Sequence, residues 1–274
     1  MASSISFIGL GVEAMTYLKT VVISFALSVL FGQNAHADPF TQPQGQGRII
    51  VSGIFTQSPK GFDANGNTTP IQEYDQNQFY IMGEYGVTKN FTVLLTPSVG
   101  NVNLKGGNDS SGLGYTEVGG RYRLAQSNHW ILSLQTSARI PGTARNYPVP
   151  QVNDRNMQYD FRASGGYMAG PAFITLDTGY RLRSGDPPNE FHIDATAGAH
   201  VAPRLMVLAS AYTTVSDGRG QGVFNRTYRY TDVYASVVYD LTPRISLQAG
   251  YTATVAGRNS LRQRGPLVGF WYKF

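Results

Sequence analysis

Period-two alternation of apolar and polar residues, repeated along most of the chain, is the feature that most restricts the fold. Runs of roughly ten residues place apolar side chains at every second position, which is the pattern of a β-strand with two different faces. About ten residues is also the length with which a tilted strand crosses a bilayer. We count about twelve such runs, at 47–57, 76–85, 91–101, 113–124, 130–140, 159–168, 172–183, 191–200, 205–215, 228–239, 245–256 and 266–274.

The connections between these runs alternate between long and short. The long ones, rich in Gly, Asn, Asp, Pro and Arg, lie at 58–75, 102–112, 141–158, 184–190, 216–227 and 257–265. The short ones lie at 86–90, 125–129, 169–171, 201–204 and 241–244. Outer-membrane barrels have long outer loops and short periplasmic turns in this order. The pattern predicts an all-β fold, a transmembrane antiparallel up-and-down β-barrel of about 12 strands. A soluble lipocalin-type barrel shares part of it.

The two faces of each run differ in charge as well as in hydropathy. In 191–200, Phe191 and Ile193 share one face, whereas His192 and Asp194 share the other. If the apolar face contacts lipid, the charged face lines an interior where opposite charges pair or meet water. We therefore predict a polar lumen whose candidate solute path is lined by Glu117, Arg121, Arg123, Arg162, Asp177, Arg181, Arg183, His192 and Asp194. For any single one of these residues, a structural cross-strand ion pair is the alternative.

The start of the chain has a different composition. Lys19 precedes an apolar run over 21–31, and the tripeptide Ala-His-Ala at 35–37 fits the small-x-small cleavage pattern. These features predict a secretory signal peptide, and an uncleaved anchor is the alternative. The expected division is a signal peptide over 1–37 with translation starting at Met1 or Met15, a short periplasmic segment over 38–46, and the barrel over 47–274.

The last nine residues, PLVGFWYKF, form an alternating aromatic strand. We expect one face of this strand to contact lipid, and that face carries Val268, Phe270, Tyr272 and Phe274. The spacing resembles the carboxy-terminal signal, ending in Phe, that the bacterial barrel-assembly machinery recognises. The sequence thus predicts two roles for this segment, a closing seam against 47–57 and a signal for assembly.

The chemistry-bearing residues are too few and too scattered to predict an enzyme. The chain has no cysteine, and none of His129, His192 and His200 has a serine two residues on, as a barrel lipase would require. We find no metal-ligand spacing and expect no cofactor. The net charge is +5, but the arginines are spread singly rather than gathered on one face, so we expect no nucleic-acid partner.

One stretch carries a family resemblance. The strand GLGYTEVGGRYRL (112–124), a tight turn and the strand WILSLQTSARIPG (130–142) resemble the signature of the outer-membrane family named for the meta-pathway of phenol degradation. That family is similar to the long-chain fatty-acid transporters of Gram-negative bacteria. The resemblance implies a barrel in the outer membrane for the uptake of aromatic or other hydrophobic compounds.

The predicted function is therefore a channel for passive passage of a small, hydrophobic or aromatic solute. The expected partners are the lipid bilayer, the assembly machinery and the solute itself. The second reading is a closed structural or adhesin-like barrel whose loops 58–75 and 141–158 bind a partner. A lipid-modifying barrel enzyme is the third.

Overall fold

A computed structural model describes residues 40–107, 109–142 and 156–274. The predicted signal peptide and most of the predicted loop 141–158 lie outside the described residues. No helix in the described part is long and apolar enough to cross a bilayer.

The described residues form strands throughout, joined by short turns. The strands are β1 (Gly47–Phe62), β2 (Thr68–Gly86), β3 (Phe91–Thr96), β4 (Ser98–Leu104), β5 (Asp109–Leu113), β6 (Thr116–Gln126), β7 (Trp130–Ile140), β8 (Gln158–Ala169), β9 (Ala172–Arg183), β10 (Asn189–Ala202), β11 (Leu205–Asp217), β12 (Arg229–Asp240), β13 (Ile245–Arg258), β14 (Ser260–Leu261) and β15 (Arg264–Lys273). A 3-10 turn at Gly222–Phe224 precedes β12.

The sheet closes on itself. Neighbouring strands are antiparallel, and β1 pairs with both β2 and β15, which leaves no open edge along the wall. Closure pairs the backbone polar groups that hydrocarbon cannot satisfy. β3 and β4 are two parts of one interrupted wall strand, because both pair with β2. β5 and β6 form the next wall strand in the same way, pairing with β4 and β3. β14 is a two-residue strand within an outer connection. Counted in this way, the described residues form a closed twelve-stranded barrel, and the predicted fold is confirmed.

The first hairpin differs from the prediction. The expected loop 58–75 is wrong, because β1 and β2 continue through most of it and only a turn at 63–67 remains. Pro70 pairs with Lys60 next to a register shift, so the proline is accommodated at an irregularity. This outer part has no apolar alternation, which is why it looks like a loop in the sequence. At the turn, the Asp63 carboxylate accepts hydrogen bonds from the Asn67 and Asn65 N–H groups, both 2.8 Å, and these bonds lower its pKa.

The apolar face of the barrel points outward. Ile193 is 51% exposed, whereas its neighbour Asp194, on the inner face, is 9% exposed. The same contrast recurs along the wall, with Leu176 at 52% and Asp177 at 5%. A continuous exposed apolar surface of this kind is incompatible with water and requires lipid. The protein therefore spans a membrane with an apolar exterior and a polar interior.

Exposed aromatic rings mark the periplasmic end of the strands. Within a few residues of the short turns lie Tyr85, Tyr122, Trp130, Tyr167, Tyr239 and Tyr272. Amphipathic rings at this depth form the girdle that anchors a barrel at the lipid headgroups. Tyr180 lies near the opposite, outer end, where its hydroxyl donates to Asp217 at 2.6 Å.

The carboxy-terminal strand forms the predicted seam. Phe274 and Gly47 exchange backbone hydrogen bonds of 2.8 and 2.9 Å. The Phe274 ring lies over Gly47 and stacks with the rings of Tyr85 and Tyr272. Gly47 has to be small here, because a Cβ atom would come within 2.4 Å of the Phe274 ring. The role of this strand in assembly stays a prediction.

Candidate functional site

The inner wall of β8, β9 and β10 carries a network of paired charges. Strand register places Asp160, Arg181 and Glu190 side by side, with Arg181 donating to both carboxylates at 2.8 and 3.2 Å. Arg162 also contacts Asp160 and reaches Asp194 on β10, both at 2.6 Å. All these side chains are largely buried, and buried ions are tolerated when each has partners of opposite charge.

A glycine in this wall makes room for Arg162. Gly179 on β9 faces the lumen between Arg162 and His192, its register partners on either side. A Cβ atom at Gly179 would lie 2.8 Å from Cγ of Arg162. The arginine stem therefore lies across the glycine on its way to Asp194.

The network continues toward the outer mouth of the barrel. Arg183 donates to Glu190 at 2.7 Å and to the Tyr228 hydroxyl at 2.7 Å, and that hydroxyl donates to Glu190. The His192 ring lies 3.4 Å from Glu190. Asp177 accepts a hydrogen bond from Ser164. Five predicted residues thus belong to one connected network, namely Arg162, Arg181, Arg183, His192 and Asp194.

A second charged group projects into the lumen from β6 and β7. Arg139 lies 3.7 Å from the predicted residue Glu117 and donates to Gln158 at 3.0 Å. Its guanidinium stacks on the Tyr115 ring, 4.5 Å from the centroid. Arg139 also interacts electrostatically with Tyr80 of β2 and Arg181 of β9. Side chains of β2, β6, β7 and β9 are therefore electrostatically coupled at this level of the lumen.

The wall next to the charge network is aromatic. Tyr212 of β11 is the register partner of Asp194 on β10, and it packs edge to face with Tyr234 of β12, with ring centroids 5.1 Å apart. Further out, Tyr228 and Tyr230 are stacked at 6.5 Å. The lumen thus has a tyrosine-lined stretch of wall directly beside the arginine–carboxylate stretch.

A cavity of about 1030 Å³ lies at the outer mouth. Its lining includes the rings of Phe62, Phe224, Tyr228 and Tyr230, together with the ion pair of Arg183 and Glu190. Arg183 also lies 5.6 Å from the centroid of the Phe224 ring. Flat apolar faces beside a few fixed charges are the usual composition of a small-molecule site.

A third charged cluster lies at the periplasmic end of the lumen. Glu84 of β2 is 3% exposed and binds Arg48 of β1 at 2.6 Å and Arg121 of β6 at 3.1 Å. Arg121 donates to Gln135 as well. The predicted residue Arg121 therefore belongs to a different group from the β8–β10 network. Arg123 lies lower still, at the periplasmic turn, where it bonds Asn90.

Residues 40–46 cross the lumen above this turn level. Gln44 pairs with Gly86 of β2, Gln42 donates to Glu84 at 2.7 Å, and the Phe40 carbonyl accepts from Arg121 at 2.9 Å. The Phe40 ring then packs against Phe173 of β9, across the barrel from β2. Residues 40–46 are the described part of the segment 38–46 that we predicted to be short and periplasmic, and they are folded across the interior at the periplasmic end of the lumen.

Several residues of the site were missed in the sequence. Arg139 and Asp160 lie on the inner faces of strands whose alternation we recognised, so extending the same count would have found them. Tyr80 and Tyr234 gave no such signal, because an aromatic residue fits either face of a barrel strand. Glu84 and Arg48 are register partners in the β1–β2 hairpin, and the long connection between these strands hides that register in the sequence.

The remaining question is whether the described residues contain a metal-binding site. No group of three or more His, Asp or Glu side chains arranged to hold a metal ion occurs in the described part of the chain. The prediction that the protein is not an enzyme stays a prediction.

An apolar exterior, a closed antiparallel wall and a charged lumen define an outer-membrane β-barrel. Residues 44–274 match the profile of the family described as "MetA-pathway of phenol degradation". The chain belongs to this family, which is the one that the sequence resemblance indicated.

Solved structures of similar fold are outer-membrane proteins. An outer-membrane channel from Pseudomonas putida F1 matches with a TM-score of 0.70 and 15% identity, over 88% of this chain and 99% of that one. The NanC porin matches with a TM-score of 0.55 and 10% identity, over 83% and 100%. The translocator domain of autotransporter NalP from Neisseria meningitidis gives 0.51 and 11%, over 96% and 97%. At these identities the likeness concerns the fold. A search of curated proteins returns no match.

Proposed function

We propose that the barrel is a passive outer-membrane channel for small aromatic or other hydrophobic solutes. The observation that carries this proposal is the composition of the lumen. An outer cavity with four aromatic rings opens above the lumen-facing side chains of Tyr80, Tyr234 and Arg139. Membership of the phenol-degradation family supports the same solute class.

The aromatic and charged stretches of the wall contribute differently to this proposal. Stacking on tyrosine faces favours flat apolar rings, each contact contributing about 0.5–1.5 kcal/mol. The paired charges on the neighbouring strands keep the lumen hydrated and give a polar substituent something to bind. Because most arginines are held by carboxylates, the path attracts a ring without trapping an ion. Weak binding of this kind suits passage, since a solute has to leave as easily as it enters.

The test is uptake into liposomes by the purified full chain. Benzoate and cyclohexanecarboxylate form a matched pair, because they share one charge and similar size and differ in the aromatic ring. We expect faster uptake of benzoate, and we expect Tyr234→Ala to reduce the difference several-fold. Tyr251→Ala is the control, since this tyrosine is on the lipid face and half exposed. Equal uptake of both solutes by every variant would refute aromatic selectivity.

A second candidate function is a non-conducting barrel that serves a structural or binding role. The crossing of the lumen by residues 40–46 favours it. Uptake separates the two, since a structural barrel transports neither solute even when Glu84→Gln weakens the attachment of this segment.

A further inference from the structure

A second pocket, about 550 Å³ in volume, lies on the outer rim of the barrel beside the cavity described above. Four arginines line it, two from the connection between β11 and β12 and two from facing strand ends. They are Arg219, Arg226, Arg229 and Arg258, and all four are exposed. No aspartate or glutamate is among the described residues that line this pocket.

Two of these arginines are direct cross-strand neighbours. Arg229 on β12 and Arg258 on β13 are register partners at the outer ends of their strands. Directly opposed residues have Cβ atoms roughly 4.5–5.5 Å apart, and like charges in this arrangement are destabilising. Within the described residues neither side chain forms an ion pair, and Asp217 nearby is bonded to Tyr180. An anion placed between the two guanidinium groups would remove the repulsion.

The arginines inside the barrel differ from the rim arginines in their ion pairing. Arg162, Arg181 and Arg183 each contact one or two carboxylates at 3.2 Å or less. Among the described residues, the interior arginines are thus neutralised by the chain's own acids, whereas the four rim arginines form no ion pair. An anion from outside the protein would supply the counter-charge.

The direction of the Arg229 and Arg258 side chains indicates the source of the anion. Along β12, Thr231, Val233 and Val237 belong to the outward face, and Arg229 continues the same alternation. Arg229 and Arg258 thus point away from the lumen, at the level where the strands leave the hydrocarbon. Arginine forks bind phosphate oxygens in pairs, and Asn225 adds an amide to the lining. Clusters of basic residues next to a membrane-spanning segment are typical of phosphorylated lipid headgroups.

We propose that this rim pocket binds the phosphate groups of a phosphorylated glycolipid in the outer leaflet. The bound phosphate lies between Arg229 and Arg258, with Arg219 and Arg226 closing over it from the connection above. The pocket borders the outer cavity and shares Arg226 and Tyr228 with it, but the proposal rests on the outward-facing arginine pair and so does not depend on the proposed channel function. Binding to the folded barrel alone would also stabilise it by mass action.

Native mass spectrometry of the full chain in detergent micelles tests the proposal. The probes are a diphosphorylated glycolipid of the lipid A class, its dephosphorylated counterpart and inorganic phosphate. We expect the phosphorylated lipid to bind at least tenfold more tightly than either of the other two. We expect Arg229→Gln with Arg258→Gln to lose at least tenfold of that affinity. The matched control, Arg204→Gln with Arg244→Gln, removes two exposed arginines from the periplasmic turns and should leave the affinity within twofold.

A charge reversal at Arg258 separates the loss of lipid binding from a loss of stability. Arg258→Glu gives Arg229 an opposite charge across the strand pair, so the unfolding midpoint without lipid should not fall, while lipid binding is lost. Equal binding of lipid by the wild-type and the double variant would overturn the proposal. So would equal binding of the dephosphorylated lipid. If inorganic phosphate occupies the pocket as tightly as the lipid does, the anion is a free one and the lipid proposal is wrong.

Discussion

At the scale of single residues, the interior depends on a few side chains that each join several strands. Glu84 contacts Arg48, Arg121 and Gln42, and so connects β1, β2 and β6 with the segment that crosses the lumen. Gly179 has a different role, since it contributes empty space over which Arg162 reaches its partners. A single substitution at either position tests its role.

Replacing Glu84 should destabilise the barrel and free the crossing segment together. Glu84→Gln leaves two buried guanidinium groups without their shared carboxylate, which costs about 3–5 kcal/mol when a buried pair is broken. The readouts are the free energy of unfolding and the single-channel current. Glu73→Gln is the control, because the pair of Glu73 with Lys105 is exposed and contributes about 0–1 kcal/mol. A Glu84→Gln barrel as stable and as closed as the wild type would contradict this account of the cluster.

Adding one methyl group at Gly179 should disturb the charge network. In Gly179→Ala the new Cβ would lie 2.8 Å from Cγ of Arg162, so the arginine has to move away from Asp160 and Asp194. We expect a loss of about 1–3 kcal/mol, the usual cost of overpacking. The comparison is Gly165→Ala, where the nearest atom, on Leu132, is 3.5 Å away and the change should be small. Chemical unfolding in detergent measures both, and equal stabilities would argue against the packing described here.

At the scale of elements, the terminal strand and the first strand depend on each other. The backbone bonds between Gly47 and Phe274 close the wall, and the aromatic ring of Phe274 covers the glycine. The alternation in PLVGFWYKF was enough to predict the lipid face and the seam. The burial pattern agrees, since Val268 and Phe270 are exposed and Trp271 is 2% exposed.

Removing Phe274 should impair assembly more than transport. Deletion eliminates one pair of seam hydrogen bonds together with the ring that the barrel-assembly machinery is expected to recognise. Phe274→Leu keeps the backbone bonds and loses the ring, so it separates the two roles. The measurement is the amount of folded barrel in the outer membrane, with liposome uptake per inserted barrel as the second readout. Normal insertion of both variants would leave the seam as the single role of this residue.

The strand positions were predictable because lipid enforces a strict alternation. Where that constraint ends, prediction failed, as in the outer halves of β1 and β2, where both faces meet water and Pro70 resembles a loop residue. The same limit applies to partners within the site. Arg181 was identifiable as inward-facing, but its contacts with Asp160 and Glu190 depend on a register that local sequence does not specify.

At the scale of the whole molecule, the barrel has an aromatic outer cavity, a lumen lined by paired charges and tyrosines, and a segment folded across its periplasmic end. The closing segment was the least predictable part. Residues 40–46 are polar apart from Phe40 and look like an entry into the first strand. Their position depends on the buried Glu84–Arg121 pair, which spans β2 and β6 across β3 and so requires a strand register that local sequence does not specify.

Reversible cross-linking of residues 40–46 to the barrel wall tests whether this segment controls passage through the lumen. The chain has no cysteine, so Gln42→Cys with Thr92→Cys introduces a unique pair where the Gln42 N–H now donates to the Thr92 hydroxyl at 2.8 Å. A short thiol-reactive cross-linker should hold the lumen closed, and its reductive release should restore single-channel openings and benzoate uptake. Each single-cysteine variant, treated in the same way, is the control. Identical currents in the cross-linked and released states would contradict the account.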